Sequence, residues 1–403
     1  MPRFEPFQAL RYGSNIALHD VCSPPYDVLS DADRLALANQ HEYNIVHVDM
    51  PLAPSGNAYD HAASILSEWI RNGVLVRDDV PSFTLYRMKF TDSTGKARNV
   101  VGIIGALEVV DEGAGGVLPH ERTTPKAKTD RLELTRATDA NLSPVWGLSL
   151  AAGLSALLTE PAQILGELTD DLGVIHSVER VNDAKRISQI SAAISAHPVV
   201  IADGHHRYAI SRTYRDEVRK RTNSTSTGAE LTMTYINELI DEQLSVAAIH
   251  RLYEGITYKE LAAALSPFFT INDADPVGPT TLSHMSERGS LCLIAKTGRT
   301  HWLTPIAEKF AGVRNLDSAY LEHALSSVHH EVRYQHGVSE VQHELQTSDA
   351  TAAILIRPVS VAEIQRTANE GLLMPPKSTF FSPKLRTGFA LTRLHLPQYE
   401  PCS

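Results

Sequence analysis

The stretch "PVVIADGHHRYAIS", residues 198 to 211, constrains the fold more than any other part of the chain. Val199, Val200 and Ile201 form a short β-branched apolar run that reads as a buried strand ending at Ala202. Asp203 and Gly204 supply turn chemistry, and a helix is expected to start near His205. The segment before it, "NDAKRISQISAAISA", places Ile187, Ile190 and Ile194 on one helical face. A helix, a buried strand, a tight turn and a second helix in succession call for a sheet backed by helices.

The rest of the chain fills in that plan. "SDADRLALANQ" has Ser30 placed to cap a helix, with Asp33 as its capping-box partner. "NIVHVDMP" reads as a short strand. "NAYDHAASILSEWIRNG" is a helix whose apolar face carries Ile65, Leu66, Trp69 and Ile70, and Gly73 marks its end. "SFTLYRMKF" and "NVVGIIGALEVV" are strands joined across "TDSTGKAR". Later strands are expected in "LTMTYI", "SVAAIHRLY", "SLCLIAKT", "THWLTP" and "AAILIRPVS", with helices near 258–266, 315–327 and 360–369. Antiparallel and α/β signals are mixed, so the expected class is α+β or mixed α/β, with mixed sheets and flanking helices. At 403 residues the chain has room for one large body or for two lobes, the latter divided as 1–155 and 156–403.

Composition excludes several functions. A formal net charge of −10 argues against a dedicated nucleic-acid binder, whose affinity rests on clustered cations. Three scattered cysteines, Cys22, Cys292 and Cys402, fit neither a disulfide framework nor a structural zinc site, and point to the cytoplasm. The run "LSLAAGLSALL" is about half the roughly 20 residues of a membrane span, and the first residues lack a signal-peptide core. No membrane association is expected, and the oligomeric state is left open.

Chemistry concentrates in four places. At the turn after the strand, the amino end of the helix offers backbone N–H groups, to which Gly204, His205, His206 and Arg207 add a phosphate-sized donor set. The bland alternative is that Asp203 merely caps the helix. "PHERTTPKAKTDR" gathers His120, Glu121, Arg122, Lys126, Lys128, Asp130 and Arg131, cations beside carboxylates as phosphoryl transfer requires. A solvated charged loop is its alternative. "MPPKSTFFSPKLRTG" brings Lys377, Ser378, Lys384 and Arg386 on a proline-stiffened segment that could equally be an edge strand, and "SPPYDV" presents Tyr26 and Asp27. "HHEVRYQH", with His329, His330, Glu331 and His336, is rich in ligands but matches no compact zinc spacing. No GxSxG, P-loop or GxGxxG signature is present.

Taken together, "SPPYDV", "HVD", "LPHERTTPKAKTDR", "ATDANLSP", "IADGHHRY", "AIHR" and "MPPKSTFFSPKLRTG" resemble the bacterial and archaeal domain of unknown function family 1015, from about residue 20 to 390. More locally, "VVIADGHHRYAIS" is similar to the phosphate-binding strand-turn-helix of the ParB and sulfiredoxin superfamily, which includes free-serine kinases. That resemblance implies a Gly-x-x-Arg turn, here Gly204 to Arg207, holding nucleotide phosphates. It also implies ATP or ADP as co-substrate and serine or phosphoserine as the first candidate substrate.

The function expected is therefore a cytoplasmic phosphotransferase acting on a small hydroxylated metabolite. Gly204, His205, His206, Arg207, Lys126, Lys128, Arg131, Lys377 and Lys384 would bind phosphate or nucleotide. Asp27, Glu121, His120 and Asp203 are the catalytic candidates, and Tyr26, Asn141 and Ser378 would touch substrate. Mg²⁺ on Asp203 or Glu121 would accompany a nucleotide. Three alternatives stand beside it: a phosphatase using the same site, a ParB-type nucleotide-sensing or DNA-associated binding protein, and a metal-dependent hydrolase.

Overall fold

The computed structural model describes residues 1–53, 56–92, 95–121 and 128–394, with the side chains of Lys128 and Thr129 excepted. Contacts divide the chain into two units, one formed by 1–245 with 383–403 and the other by 246–382. The division expected at 155/156 falls inside the first unit, between strands of a single sheet. Pairing across residues 145 to 238 holds those strands together, so no seam opens there.

The first unit is built on a mixed sheet. Its strands run in the order Val117–Pro119, Val199–Asp203, Val145–Ser149, Leu231–Glu238, Ala97–Glu108, Phe83–Thr91, Ile175–Val181 and Gln163–Thr169, and Phe4–Glu5 also pairs with Ala97–Glu108. Val199–Asp203 is parallel to Val117–Pro119 and antiparallel to Val145–Ser149. The expected hairpin across residues 91 to 97 closes in register from Thr84 opposite Ile104 to Thr91 opposite Ala97.

One face of this sheet packs on the helix Ala184–Ser195, which Asp183 caps by accepting from Arg186 N at 2.8 Å. Ile190 and Ile194 of that helix are fully buried against Phe83, Leu85 and Ile103. Each such side chain contributes about 1.5–3 kcal/mol of burial. A second cluster joins Leu66 and Trp69 of the helix Ala58–Arg71 to Val21, Ile45, Val48, Leu134 and Leu391. The Ser30–Asp33 capping box forms as expected at the head of Asp31–Gln40.

"NIVHVDMP" departs from its expected strand. Val46–Asp49 is a short helix, because Asn44 Oδ1 accepts from Val46 N at 3.1 Å and Ile45 O accepts from both Val48 N and Asp49 N. A side chain that takes the first free N–H starts a helical turn that alternation alone does not reveal.

After residue 382 the chain re-enters the first unit and is laced back by three antiparallel contacts. Thr387 pairs with Ser23, Leu391 with Leu10, and Thr392 with Asn141. The second unit carries a six-stranded, wholly antiparallel sheet in the order Phe269–Asp273, Thr300–Pro305, Leu291–Ala295, Ala352–Leu355, Ile249–Glu254 and Glu331–His336. Apolar clusters cover both its faces. The class is mixed α+β, as the sequence pattern implies. Among the described residues no helix is long and apolar enough to cross a membrane.

Candidate active site

Asp203 ends its strand at an irregularity. Pairing with Val145–Ser149 slips between Ile201, opposite Gly147, and Asp203, opposite Trp146, so Ala202 is the extra residue of a bulge. A bulge of this kind re-aims the side chain that follows it. Gly204 then turns the chain left-handed, at φ 82° and ψ 30°, and the helix His205–Thr222 begins with no side chain capping it. Glycine is required here twice over. Its φ is one that other residues adopt only under strain, and a Cβ would lie 2.9 Å from Arg207 Nε.

The Arg207 guanidinium folds back over this turn. Its Nη2 donates to Asp203 Oδ2 at 2.8 Å, and Nη1 donates to the Pro144 carbonyl and, at 3.5 Å, to Ser143 Oγ. Lys384 Nζ donates to the other Asp203 oxygen at 3.0 Å. Burial works against a charge on Asp203, but Lys384 and Arg207 outweigh it and hold the carboxyl well below the usual carboxylate range. Burial likewise opposes the charge on Arg207, and Asp203, Asp27, Tyr26 and Asp49 together more than restore it.

Next to this triad lies a cavity of about 50 Å³, lined among others by Tyr26, Asp49, Arg131, Asn141, Arg207 and Ser211. At the roughly 10–15 Å³ that one water requires, it holds about four water-sized groups. That is room for a phosphoryl group or a small hydroxylated fragment, and too little for a nucleoside.

Asp49, which the sequence pattern did not single out, is the most telling residue on its wall. It is 3% exposed. Arg131 Nη1 donates to its backbone carbonyl at 2.6 Å and to its Oδ1 at 3.2 Å. Its Oδ2 is buried with no hydrogen-bond partner among the described residues. Burial raises the Asp49 carboxyl above its ordinary range, against the pull of Arg131 and Arg207. Arg131 is itself held in place, its guanidinium 4.3 Å above the Tyr26 ring and its Nε donating to Asp130 Oδ2 at 2.8 Å. Tyr59 OH completes the chain by donating to Asp130 Oδ1 at 2.8 Å. The signal in the sequence was "HVD", a carboxylate between apolar residues, which the expected strand hid.

The other expected residues are placed as follows. Asn141 reaches the cavity, but its Oδ1 accepts from Met233 N at 2.9 Å and so fixes the neighbouring strand. Asp27 is exposed on the short 3-10 turn Tyr26–Val28. His120 is fully buried and donates Nδ1–H to the Ile201 carbonyl at 2.5 Å, with its ring 4.9 Å from that of His205. Burial lowers its pKa to about 4, which makes it a neutral imidazole. Glu121 Oε2 lies 4.0 Å from His120 Nε2. Neither His120, Glu121 nor His206 lines the cavity. Lys377 and Ser378 belong to the second unit, where buried Ser378 bonds to Pro375 O at 2.7 Å and to Ser318 Oγ at 3.1 Å. Arg122 and Lys126 lie outside the described residues, as does the side chain of Lys128.

Mg²⁺ does not fit Asp203 as expected, since both oxygens already serve cations at 2.8 and 3.0 Å. Among the described residues no three His, Cys, Asp or Glu side chains come together as a metal site, the histidines of "HHEVRYQH" included.

The sequence of residues 4–319 matches the family described as Protein of unknown function (DUF1015). The chain belongs to that family. No curated protein matches this DUF1015 chain significantly. Several solved structures are similar in fold. A conserved hypothetical protein from Pyrococcus furiosus is 12% identical, with 66% of this chain and 87% of that one covered, at a TM-score of 0.36. A free serine kinase in complex with AMP is 11% identical over 70% of this chain and 88% of its own, at 0.38. SbnI from Staphylococcus aureus, truncated at its C-terminus, is 13% identical over 71% and 85%, at 0.40. None of these three is alike enough to speak for the chemistry of the DUF1015 chain.

Proposed function

We propose that this protein is a phosphotransferase acting on a small hydroxylated metabolite, with serine or phosphoserine as the first candidate. The observation that carries the reading is the open Oδ2 of buried Asp49 on the wall of a cavity that Arg207 and Arg131 also line. A carboxylate with one uncommitted oxygen accepts the proton of the substrate hydroxyl while the hydroxyl oxygen attacks phosphorus and the donor's phosphate leaves, and a raised pKa makes it a better base at neutral pH. Guanidiniums on the same wall face the charge of the transferring group. Asp203 and Lys384 act behind Arg207, fixing it by ion pairing.

The cavity volume of about 50 Å³ limits what enters to the reacting groups, so ATP or ADP would reach it by its terminal phosphate alone. Serine as the substrate rests on the resemblance of Gly204 to Arg207 to the superfamily that includes free-serine kinases. Asp49 takes the part that the sequence suggested for Asp27 or Glu121.

The test is phosphorus NMR of the protein with serine and ATP or ADP, or with phosphoserine and ADP or AMP, each with Mg²⁺ in solution. Transfer to or from serine is expected. Asp49→Asn should slow turnover about 10²–10⁴-fold while leaving phosphate-ligand binding in place. Phosphoserine converted without any nucleotide would assign the site to hydrolysis. Absence of turnover, together with unchanged melting temperature in all these ligands, would sink the reading.

A further inference from the structure

A second pocket in the first unit shares no lining residue with the cavity of Asp49 and Arg207. Its volume is about 450 Å³, within the roughly 300–1,000 Å³ typical of small-molecule sites. Three arginines, Arg11, Arg77 and Arg180, face two aspartates, Asp78 and Asp79, in a chain whose net charge is −10. A locally cationic pocket on an acidic protein calls for an explanation.

The excess charge centres on Asp78. Arg11, 7% exposed, is engaged at every nitrogen: Nε donates to Asp78 at 3.0 Å, Nη2 to Thr84 Oγ1 at 2.6 Å and Nη1 to the Phe389 carbonyl at 3.2 Å. That pair already neutralises the carboxylate. Arg180 nonetheless donates Nη2 to the same Asp78, while its Nε is buried without a partner among the described residues. Arg180 is therefore surplus to the balance of the buried pair, and its remaining donors are uncommitted. Apolar surface lies beside it: Leu18, Leu165 and Val178 line the pocket, and Val76, 51% exposed, stands on it as well.

We propose that this pocket binds a small organic anion, with its phosphate or carboxylate head on Arg180 and its apolar body against Leu18, Leu165 and Val76. An oxyanion in the pocket meets the exposed part of the Arg180 guanidinium, whose side chain is 23% exposed, and removes the unbalanced charge. The apolar wall selects against bare inorganic ions.

The probes are phenyl phosphate and inorganic phosphate, titrated calorimetrically into the full chain. Phenyl phosphate is expected to bind at least tenfold more tightly than phosphate. Arg180→Gln should abolish phenyl phosphate binding, leaving the Arg11–Asp78 pair to maintain the fold, and Val76→Asp, at an exposed position, should weaken phenyl phosphate at least tenfold. Phenyl phosphate binding in this pocket should persist in Arg207→Ala, and its complete loss there would place the ligand in the proposed catalytic cavity and overturn the proposal. Equal affinity for the two probes, no binding of phenyl phosphate, or binding that survives Arg180→Gln would each overturn the proposal.

Discussion

Lys384 Nζ lies 3.0 Å from Asp203 Oδ1, 181 residues away in sequence, opposite Arg207 on the other carboxylate oxygen, so that one half-buried anion serves two cations. Removing the anion leaves two cations facing each other, and Asp203→Ala should cost about 3 kcal/mol of stability. Lys384→Ala should cost much less, because Asp203 keeps Arg207. Urea denaturation of the two single variants and the double variant measures this, and the double variant should be less unstable than the sum of the singles. A Lys384→Ala variant as unstable as Asp203→Ala would contradict the arrangement.

Gly204→Ala combines a left-handed backbone with a Cβ 2.9 Å from Arg207 Nε. Backbone strain alone is worth about 1–2 kcal/mol. The melting temperature should fall, and phosphate-ligand binding should weaken as Arg207 is displaced. A variant that melts and binds like the parent would show that the turn relaxes freely.

The pH dependence of turnover should report Asp49. Burial raises its carboxyl, and the base works only when ionised, so activity should fall with acid through a pKa above the ordinary carboxylate value of about 3.9. Initial rates from pH 4 to 8 give the limb. An acid limb at or below that value would assign the base elsewhere.

Stability should fall on acidification in two windows. His120 and His176 are buried with pKa values of about 4, against about 6.5 in an unfolded chain. Between those values the unfolded state binds protons that the native state refuses, so stability decreases as pH drops from about 6.5 to 4, by about 3 kcal/mol per histidine. Asp203 acts in the same sense in a more acidic window: its folded pKa is depressed, so its contribution is intact above about pH 4 and fades below it. Denaturation curves at pH 7.5, 5.5 and 4.5 test the first window. His120→Gln should be less stable throughout yet show a shallower slope.

The local rules of chain structure were legible where one segment decides its own conformation. The Ser30 capping box, the helix face of Ile190 and Ile194, and the turn at Gly204 all follow from residues a few positions apart. The helix Val46–Asp49 was not legible, because a single side-chain bond from Asn44 to Val46 N overrides the alternation of "NIVHVD". Asp49 was lost with it. Of the expected site, Tyr26, Asn141 and Arg207 reach the cavity with Arg131, while Lys384 meets Asp203 beside it. Lys377 and Ser378, seven and six residues before Lys384, fall in the other unit. Motif proximity in sequence could not reveal that the chain changes units between 382 and 383.

That crossing has a consequence for biosynthesis. A ribosome delivers Asp203 and Arg207 first, then the whole of 246–382, and only afterwards Lys384 and the strand at Thr392–Arg393 that pairs with Asn141. Nascent chains stalled between residues 207 and 384 hold Asp203 with one cation instead of two, so the ion triad cannot close until the whole of the second unit has been made, however early the sheet around it has formed.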